Sequence, residues 1–379
     1  MWLLEPSLHH LNHGSFGAVP IPVLTAQRGW QDRFERDPVG FVERELLDAL
    51  DTARAAWAGL LGTGVSGVVP VRNTTTGIST VLAAVADRLA PGQEILITDH
   101  TYNATRLAVE AAAARRHLTV RIAVVPFPLR SAQEARAAIL DAVGPRTGLA
   151  VLDLVTSPTA LRLPLEPVIA ALEPEVPVLV DGAHGPGMVP MDVDAWGASF
   201  VVGNGHKWLC APRGSAVLVV AEAWRDAVRP LVVSHGWDAS FAPDRSRLHA
   251  TFDWVGTDDP TPWLCVPDAI ATLSGLHPDG LAGLMAANRA LALTARQLIC
   301  DALGIDPPAP QDMIGSMASV PLPGDGGAML DPIGGALRER GFVVGAFGRP
   351  RRLLRVSAHA YNTVDEYAQL AALLPTILR

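Results

Sequence analysis

Lysine is almost missing from this 379-residue chain. Lys and Arg together number 30, and the one lysine, Lys207, leaves every other cationic position to arginine. Cysteine is nearly as scarce: Cys210, Cys265 and Cys300 lie far apart with no CxxC pair, which excludes a disulfide framework. Charged residues make up 18% of the chain and hydrophobic ones 49%, enough to fill a large core, so a disordered chain is excluded. The formal charge of -8 argues against general binding to nucleic acid or to an anionic membrane. Long apolar runs are missing too. The uncharged stretch Ala55–Val71 is broken by four glycines and a proline, unlike a transmembrane helix. No basic segment precedes an apolar one at the start, where Met1-Trp2-Leu3-Leu4 runs into Glu5 and Pro6. These absences predict a soluble, cytoplasmic globular protein with no nucleic-acid and no membrane partner.

What is present is an alternation of strand-length apolar runs and helical patterns. Strands are predicted at Val68–Val71, Ile95–Thr98, Val120–Val125, Ala150–Val155, Val178–Val180, Ser199–Val202 and Ser215–Val220. Helices are predicted between them at Gly77–Leu89, Arg106–Arg116, Ala132–Val143 and Leu165–Leu172. Such alternation predicts an α/β fold, a mostly parallel sheet with helices on both faces, whose ligand sits beyond the carboxyl ends of the strands. Residues 231–264 carry Trp, Gly, Pro and Asp without periodicity and read as a functional loop region. A helix over Leu281–Leu303 then leads into strand, helix, strand, strand, helix, a small α+β domain. The division expected is an N-terminal segment 1–45 packing on that small domain, a large domain 46–265, and a linking helix with the small domain over 266–379.

Two patterns are decoys. Gly62-Thr63-Gly64-Val65-Ser66-Gly67 matches G-x-G-x-x-G but follows a helix and precedes a strand, the reverse of a dinucleotide fingerprint. His9, His10 and His13 have i,i+4 spacing but no partnering carboxylate or Cys, so no metal is expected.

Four other sites fall at strand ends. Arg72-Asn73-Thr74-Thr75-Thr76-Gly77 opens a helix and can cradle a phosphate with backbone amides and hydroxyls, although ordinary capping by Thr reads equally well. Asp181 ends an apolar run, where a carboxylate needs a cationic partner such as a protonated pyridine nitrogen, or else is a helix cap. Lys207, in Gly203-Asn204-Gly205-His206-Lys207-Trp208, offers an amine able to form a Schiff base. Arg355, inside Leu353-Leu354-Arg355-Val356-Ser357, suits a bidentate carboxylate clamp, or a salt bridge to a local acid. Together these are the parts for pyridoxal 5'-phosphate acting on an amino acid.

At this point the sequence resembles the class V aminotransferase family of fold-type I pyridoxal-phosphate enzymes, in particular its isopenicillin N epimerase-like members. The motifs are Leu11-Asn12-His13-Gly14-Ser15-Phe16-Gly17, Arg72-Asn73-Thr74-Thr75, Asp99-His100-Thr101-Tyr102-Asn103-Ala104, Val155-Thr156-Ser157-Pro158-Thr159-Ala160, Asp181-Gly182-Ala183-His184-Gly185 and His206-Lys207-Trp208. The resemblance implies a seven-stranded large-domain sheet and a small C-terminal domain. It implies Lys207 as the Schiff-base amine and Asp181 as partner of the ring nitrogen. It also implies cofactor contacts from Asn73, Thr74, Thr75, His184, Asn204 and His206, stacking by Tyr102 with His100 as the fallback, and Ser157 against the phenolic oxygen. Arg355 matches the substrate-carboxylate arginine, with His13, Gly14 and Ser15 beside the substrate. Gly256-Thr257 matches a loop that reaches the neighbouring subunit's phosphate, which implies a homodimer with shared active sites.

The related cysteine desulfurases carry a nucleophilic Cys shortly before the arginine. Here Val343–Pro350 holds none, which disfavours persulfide chemistry. The expected activity is a C–S β-lyase on an S-substituted cysteine conjugate of natural-product metabolism. Epimerisation, with His13 or His184 as the second acid, stands next. Transamination and decarboxylation-dependent deamination are further outcomes of the same carbanion chemistry. Trp237, Phe241, Trp254 and Trp263 suggest a pocket for a substrate larger than a free amino acid, or else ordinary loop packing and dimer contact.

Overall fold

The computed structural model describes residues 1–379 except Ala239, Phe241, Pro350 and Arg379. Its main sheet holds β1 (Val68–Val71), β2 (Glu94–Thr98), β3 (Thr119–Ala123), β4 (Thr147–Asp153), β5 (Val178–Gly182), β6 (Phe200–Asn204) and β7 (Ala216–Val220). The spatial order is β1-β7-β6-β5-β4-β2-β3. Six strands run parallel, and β7 alone is antiparallel to both of its neighbours. β4 to β7 are buried on both faces and read as continuous apolar runs, as a sheet covered by helices requires. One face packs a cluster including Val69, Ile78, Val81 and Phe200; the other packs one including Trp57, Leu152, Val180 and Trp208.

Strand ends shifted from their predicted positions in a way that matters. β5 runs through Asp181 to Gly182, and β4 stops at Asp153. Asp153 therefore pairs in register with Asp181 on the adjacent parallel strand, and the two carboxylates project from the same face. The helix predicted from Gly77 starts three residues earlier, at Thr74, and ends at Ala86. Asn73 sets that start, because its Oδ1 accepts from Thr76 N at 2.9 Å.

The region 231–264 is more ordered than its composition suggests. It contains a helix at Arg247–Asp253, capped by Ser246 and fastened by a buried ion cluster. Asp253 there accepts from Arg54 at 2.7 Å and from Arg245 at 2.9 Å.

The small sheet has β8 (Met317–Pro321), β9 (Gly345–Phe347) and β10 (Leu353–Ser357), all antiparallel in the order β9-β10-β8. It packs against the long helix Gly280–Leu303 and the C-terminal helix Val364–Ile377. The N-terminal segment reaches the same unit: His9–His10 pairs in parallel with Phe342–Val343, and Leu11 joins that core. Among the described residues no helix is long and apolar enough to cross a membrane.

Candidate active site

A cavity of about 150 Å³ opens at the carboxyl ends of β4, β5 and β6. Its walls carry Asn73, Thr74, Thr75, Tyr102, Ser157, Asp181, His184, Asn204, His206 and Lys207, and Ser15 from the N-terminal segment. Residues drawn from six sequence regions thus meet where the doubly wound topology predicts a ligand.

Asp181 lies at the base. Its Oδ2 accepts from Thr105 Oγ1 at 2.9 Å and its Oδ1 from Ala183 N at 3.1 Å. Burial pushes its pKa up, and these two bonds together with the Lys207 charge pull it back. Asp153 has a weaker hold, one long bond of 3.4 Å from Tyr102 N to Oδ1, while its Oδ2 is buried without a partner. Burial first, and then the Asp181 carboxylate, push Asp153 well above the ordinary range. Of this pair Asp153 is pushed the further up, so Asp181 gives up its proton the more readily.

Lys207 Nζ sits 3.2 Å from His184 Nε2. Burial lowers its pKa to about 8, which makes a free amine accessible near neutrality. The N-terminus of the helix Thr74–Ala86 faces the same space. Asn204 Oδ1 accepts from Thr74 N at 3.0 Å and fastens that helix to β6. Thr74 Oγ1 and His206 Nδ1 are buried and have no partner, on residues that line the cavity at the positive end of a helix. Buried orphan groups in that setting fit an anionic phosphate.

Arg355 is 2% exposed. Its Nη1 donates to Ser157 O at 2.7 Å and Ser157 Oγ at 3.2 Å; its Nη2 donates to Asn12 Oδ1 at 3.1 Å and Ser15 Oγ at 3.0 Å. All four acceptors are neutral, and burial lowers its pKa to about 10. The salt bridge to a local acid, the plain alternative for this residue, is not formed among the described residues.

Several expected contacts fall elsewhere. His13 lies behind the lysine, its Nε2 donating to Lys207 O at 3.1 Å and its Nδ1 accepting from Tyr361 OH at 2.9 Å. Gly14 packs with its N–H on Ser357 Oγ, and a Cβ there would meet Met317 and Trp208 within 3.1 Å. Asn73 spends its side-chain oxygen on the helix cap, since Thr76 N and Oγ1 both donate to it. Thr257 is exposed and does not line the cavity of its own chain, which leaves it free for the contact expected with a neighbouring subunit; beside it Arg72 pairs with Asp258. His100 is bonded to Thr159 Oγ1 and Val125 O, so of the two stacking candidates Tyr102 alone faces the cavity.

Among the described residues, the aromatic side chains of 231–264 do not line it. Trp237 lies between Arg229 and Arg247, and Trp263 donates to Ala216 O at 2.8 Å. Trp254 lines a separate apolar cleft with Trp263, and Phe241 is outside the described residues. Trp237 and Trp263 are thus packed within their own chain.

The His9, His10, His13 run does not converge either, but tertiary structure brings His13 to Cys210 and His359, with Sγ 3.7 and 3.5 Å from their Nε2 atoms. The two imidazoles stack with centroids 4.1 Å apart and planes 21° apart. His13 Nε2 is given to the Lys207 carbonyl, and the three side chains form a buried hydrogen-bonded cluster whose ligand atoms lie within 4.8 Å of one another.

Residues that sequence reasoning missed are Asp153, Thr105 and Asn12. Thr105 and Asn12 carried no signal, because each acts through a partner more than 70 positions away. Asp153 did carry one: like Asp181, it is a carboxylate ending a buried strand.

Fold, cavity and donor set define a class of protein, and comparison with known proteins makes it specific. Residues 39–251 match the family model described as aminotransferase class-V. Isopenicillin N epimerase from Amycolatopsis lactamdurans is 34% identical over 98% of this chain and 95% of its own length. L-cysteine desulfhydrase from Arabidopsis thaliana is 27% identical over 84% of this chain and 72% of its own. Among solved structures, a cystine C–S lyase in complex with cysteine persulfide superposes with a TM-score of 0.82 at 21% identity, covering 97% of both chains, which shows the fold. This chain belongs to the class V aminotransferase family and is a pyridoxal 5'-phosphate enzyme.

Proposed function

We propose that this enzyme is a C–S β-lyase that cleaves an S-substituted cysteine to a thiol, pyruvate and ammonia. The observation that carries the reading is Arg355, a buried cation with four neutral acceptors beside the cavity that holds Lys207 and Asp181. A buried guanidinium without a counter-charge is costly, and the α-carboxylate of an amino-acid substrate supplies one.

Pyridoxal phosphate, held by Thr74, Thr75, His206 and the helix amides, supplies an electron sink for the α-carbon. Asp181 holds a proton on the ring nitrogen. Arg355, steadied by Ser157, would hold the substrate carboxylate and so orient the Cα–H bond towards Lys207. Lys207, as free amine, takes the α-proton. The C–H electron pair moves into the Cα–Cβ bond and the thiolate leaves from Cβ, to be protonated in solution. The released enamine takes up water and gives pyruvate and ammonia. Elimination is favoured by the lack of a cysteine in Val343–Arg349 and by relatives named L-cysteine desulfhydrase. A cysteine conjugate of natural-product metabolism is the substrate class this reading assigns.

Epimerisation is the second reading, favoured by the 34% identity over nearly the whole chain. It needs a proton donor across the cavity from Lys207. His184 is bonded to Lys207 itself and His13 lies outside the cavity, which leaves Tyr102 as the candidate.

The enzyme is read as a homodimer: Leu231, Val232 and Val233 are 53, 57 and 65% exposed in one run beside the apolar cleft that adjoins the helix N-terminus. Incubation with S-substituted L-cysteines in D2O, with detection of pyruvate, thiol and α-deuterated substrate, decides between the reactions. Pyruvate and thiol in equal amounts are expected; deuterated D-isomer without pyruvate overturns the lyase reading in favour of the epimerase.

A further inference from the structure

One buried side chain makes a hydrogen bond that the chemistry above does not use. Trp208 follows Lys207 in the chain, is fully buried, and donates Nε1–H to His184 Nδ1 at 3.1 Å. An indole nitrogen can only donate, so His184 Nδ1 must present its lone pair. The neutral imidazole then carries its proton on Nε2, the nitrogen 3.2 Å from Lys207 Nζ. An N–H aimed at an amine is a hydrogen bond only when the amine nitrogen accepts, and an ammonium has no lone pair to do so. We propose that Trp208 is a positioning residue which locks the His184 tautomer and thereby favours the neutral, nucleophilic amine of Lys207 over its ammonium.

The charges around the amine do not achieve this alone. Asp181 and Asp153 face Lys207 and favour its cation, while Arg355 opposes it. Burial is the largest influence and pushes the amine down. His184 is itself held neutral chiefly by burial, with the Arg355 charge acting in the same sense, so its second nitrogen does not become protonated at neutral pH. The tautomer lock adds a directional preference to the general effect of burial: with Nε2–H pointing at Nζ, protonating the lysine would set two donors against each other.

The inference rests on Lys207 as the cofactor amine, but its test involves neither substrate nor turnover, so its failure is distinct from failure of the lyase reading. The single lysine makes the measurement direct. Trace acetylation of the full, cofactor-free chain with acetic anhydride, quantified by mass spectrometry on the Lys207 peptide across pH, reads the midpoint of this one amine. A midpoint near 8 is expected for the wild type. Trp208→Phe frees Nδ1 to take the proton and Nε2 to accept from an ammonium, so the midpoint should rise by about one pH unit. His184→Gln, whose amide can turn its oxygen to the lysine, should give a rise of the same sign. An unchanged midpoint in either folded variant overturns the proposal. Independently of any variant, 15N shifts of labelled His184 in the wild-type chain should show a protonated Nε2, and a protonated Nδ1 overturns it equally.

Discussion

Arg355 and Asp181 set what the site demands of individual side chains. Arg355→Lys keeps the charge and loses the planar fork, so substrate binding and turnover should both weaken, and Arg355→Ala should be worse. Removing one partner of a charge-assisted pair costs about 1.5–3 kcal/mol, roughly ten- to a hundredfold in kcat/KM. The absorption of bound cofactor should stay as in the wild type, and analogues without the carboxylate should be indifferent to either change. Normal turnover of a carboxylate substrate by both variants would make Arg355 structural. Asp181→Asn is expected to retain cofactor through the phosphate cradle yet lose most turnover, because an amide does not hold a proton on the ring nitrogen. Wild-type turnover by that variant would remove the role. Lys207 and Asp181 were legible in the chain because each is chemically conspicuous, one as the single lysine and the other as a carboxylate closing an apolar run. Asn12 and Thr105 are common polar residues whose meaning comes from the atom opposite them.

Among the segments, the one over Asn12–Gly17 makes the strictest steric demand. Gly17 has φ +69°, and a Cβ there would lie 2.1 Å from His206 O and 2.9 Å from Lys207 O. The N-terminal segment thus crosses directly over the backbone that carries the lysine, and places Ser15 in the cavity wall. Gly17→Ala forces the two backbones apart, at a cost of about 1–3 kcal/mol for overpacking. Cofactor affinity, followed by absorbance titration, should drop by about tenfold or more, which is the equivalent of ~1.4 kcal/mol or more. Affinity equal to wild type would show that the crossing is not rigid. Helix positions were largely readable from apolar periodicity. The ends were not, because Asn73 and Ser246 set starts through side-chain bonds to N–H groups three residues on.

Buried histidines decide how the whole molecule responds to acid. His13, His206 and His249 have folded pKa values lowered to about 4, and His184 and His359 lie well below the ordinary value, in each case chiefly through burial. Each contributes stability that is full above the unfolded pKa of about 6.5 and is lost as pH falls towards the folded value, because the unfolded chain binds the proton first. Asp153, Asp181 and Asp253 act in the opposite sense, since their folded pKa values are raised. His10 and His100 are lowered in the same sense and Asp268 is raised, so seven histidines stand against four carboxyls, and the cofactor-free chain should melt highest above pH 7 and lose melting temperature steadily from about pH 6.5 to 4. A flat profile over that window would contradict the neutral, buried state of the cluster. Assembly is tested by Leu231→Asp combined with Val233→Asp, which should convert a dimer to a monomer in light scattering; a monomeric wild type would refute the shared-site reading.

Sequence alone determined the α/β class, the small C-terminal unit and the cofactor, and singled out Lys207 as the candidate amine. These depend on patterns that are local or on residue types that are chemically singular. Tertiary structure alone decided which polar groups are left without partners and which are used up. Asn73 became a cap, His13 went behind the lysine, and the tryptophans of 231–264 packed away from the site. It also paired Asp153 with Asp181 and aimed Trp208 at His184. The physical reason is that a hydrogen bond or an orphaned buried atom belongs to a pair of positions brought together by strand register and chain crossing, and neither position carries it alone.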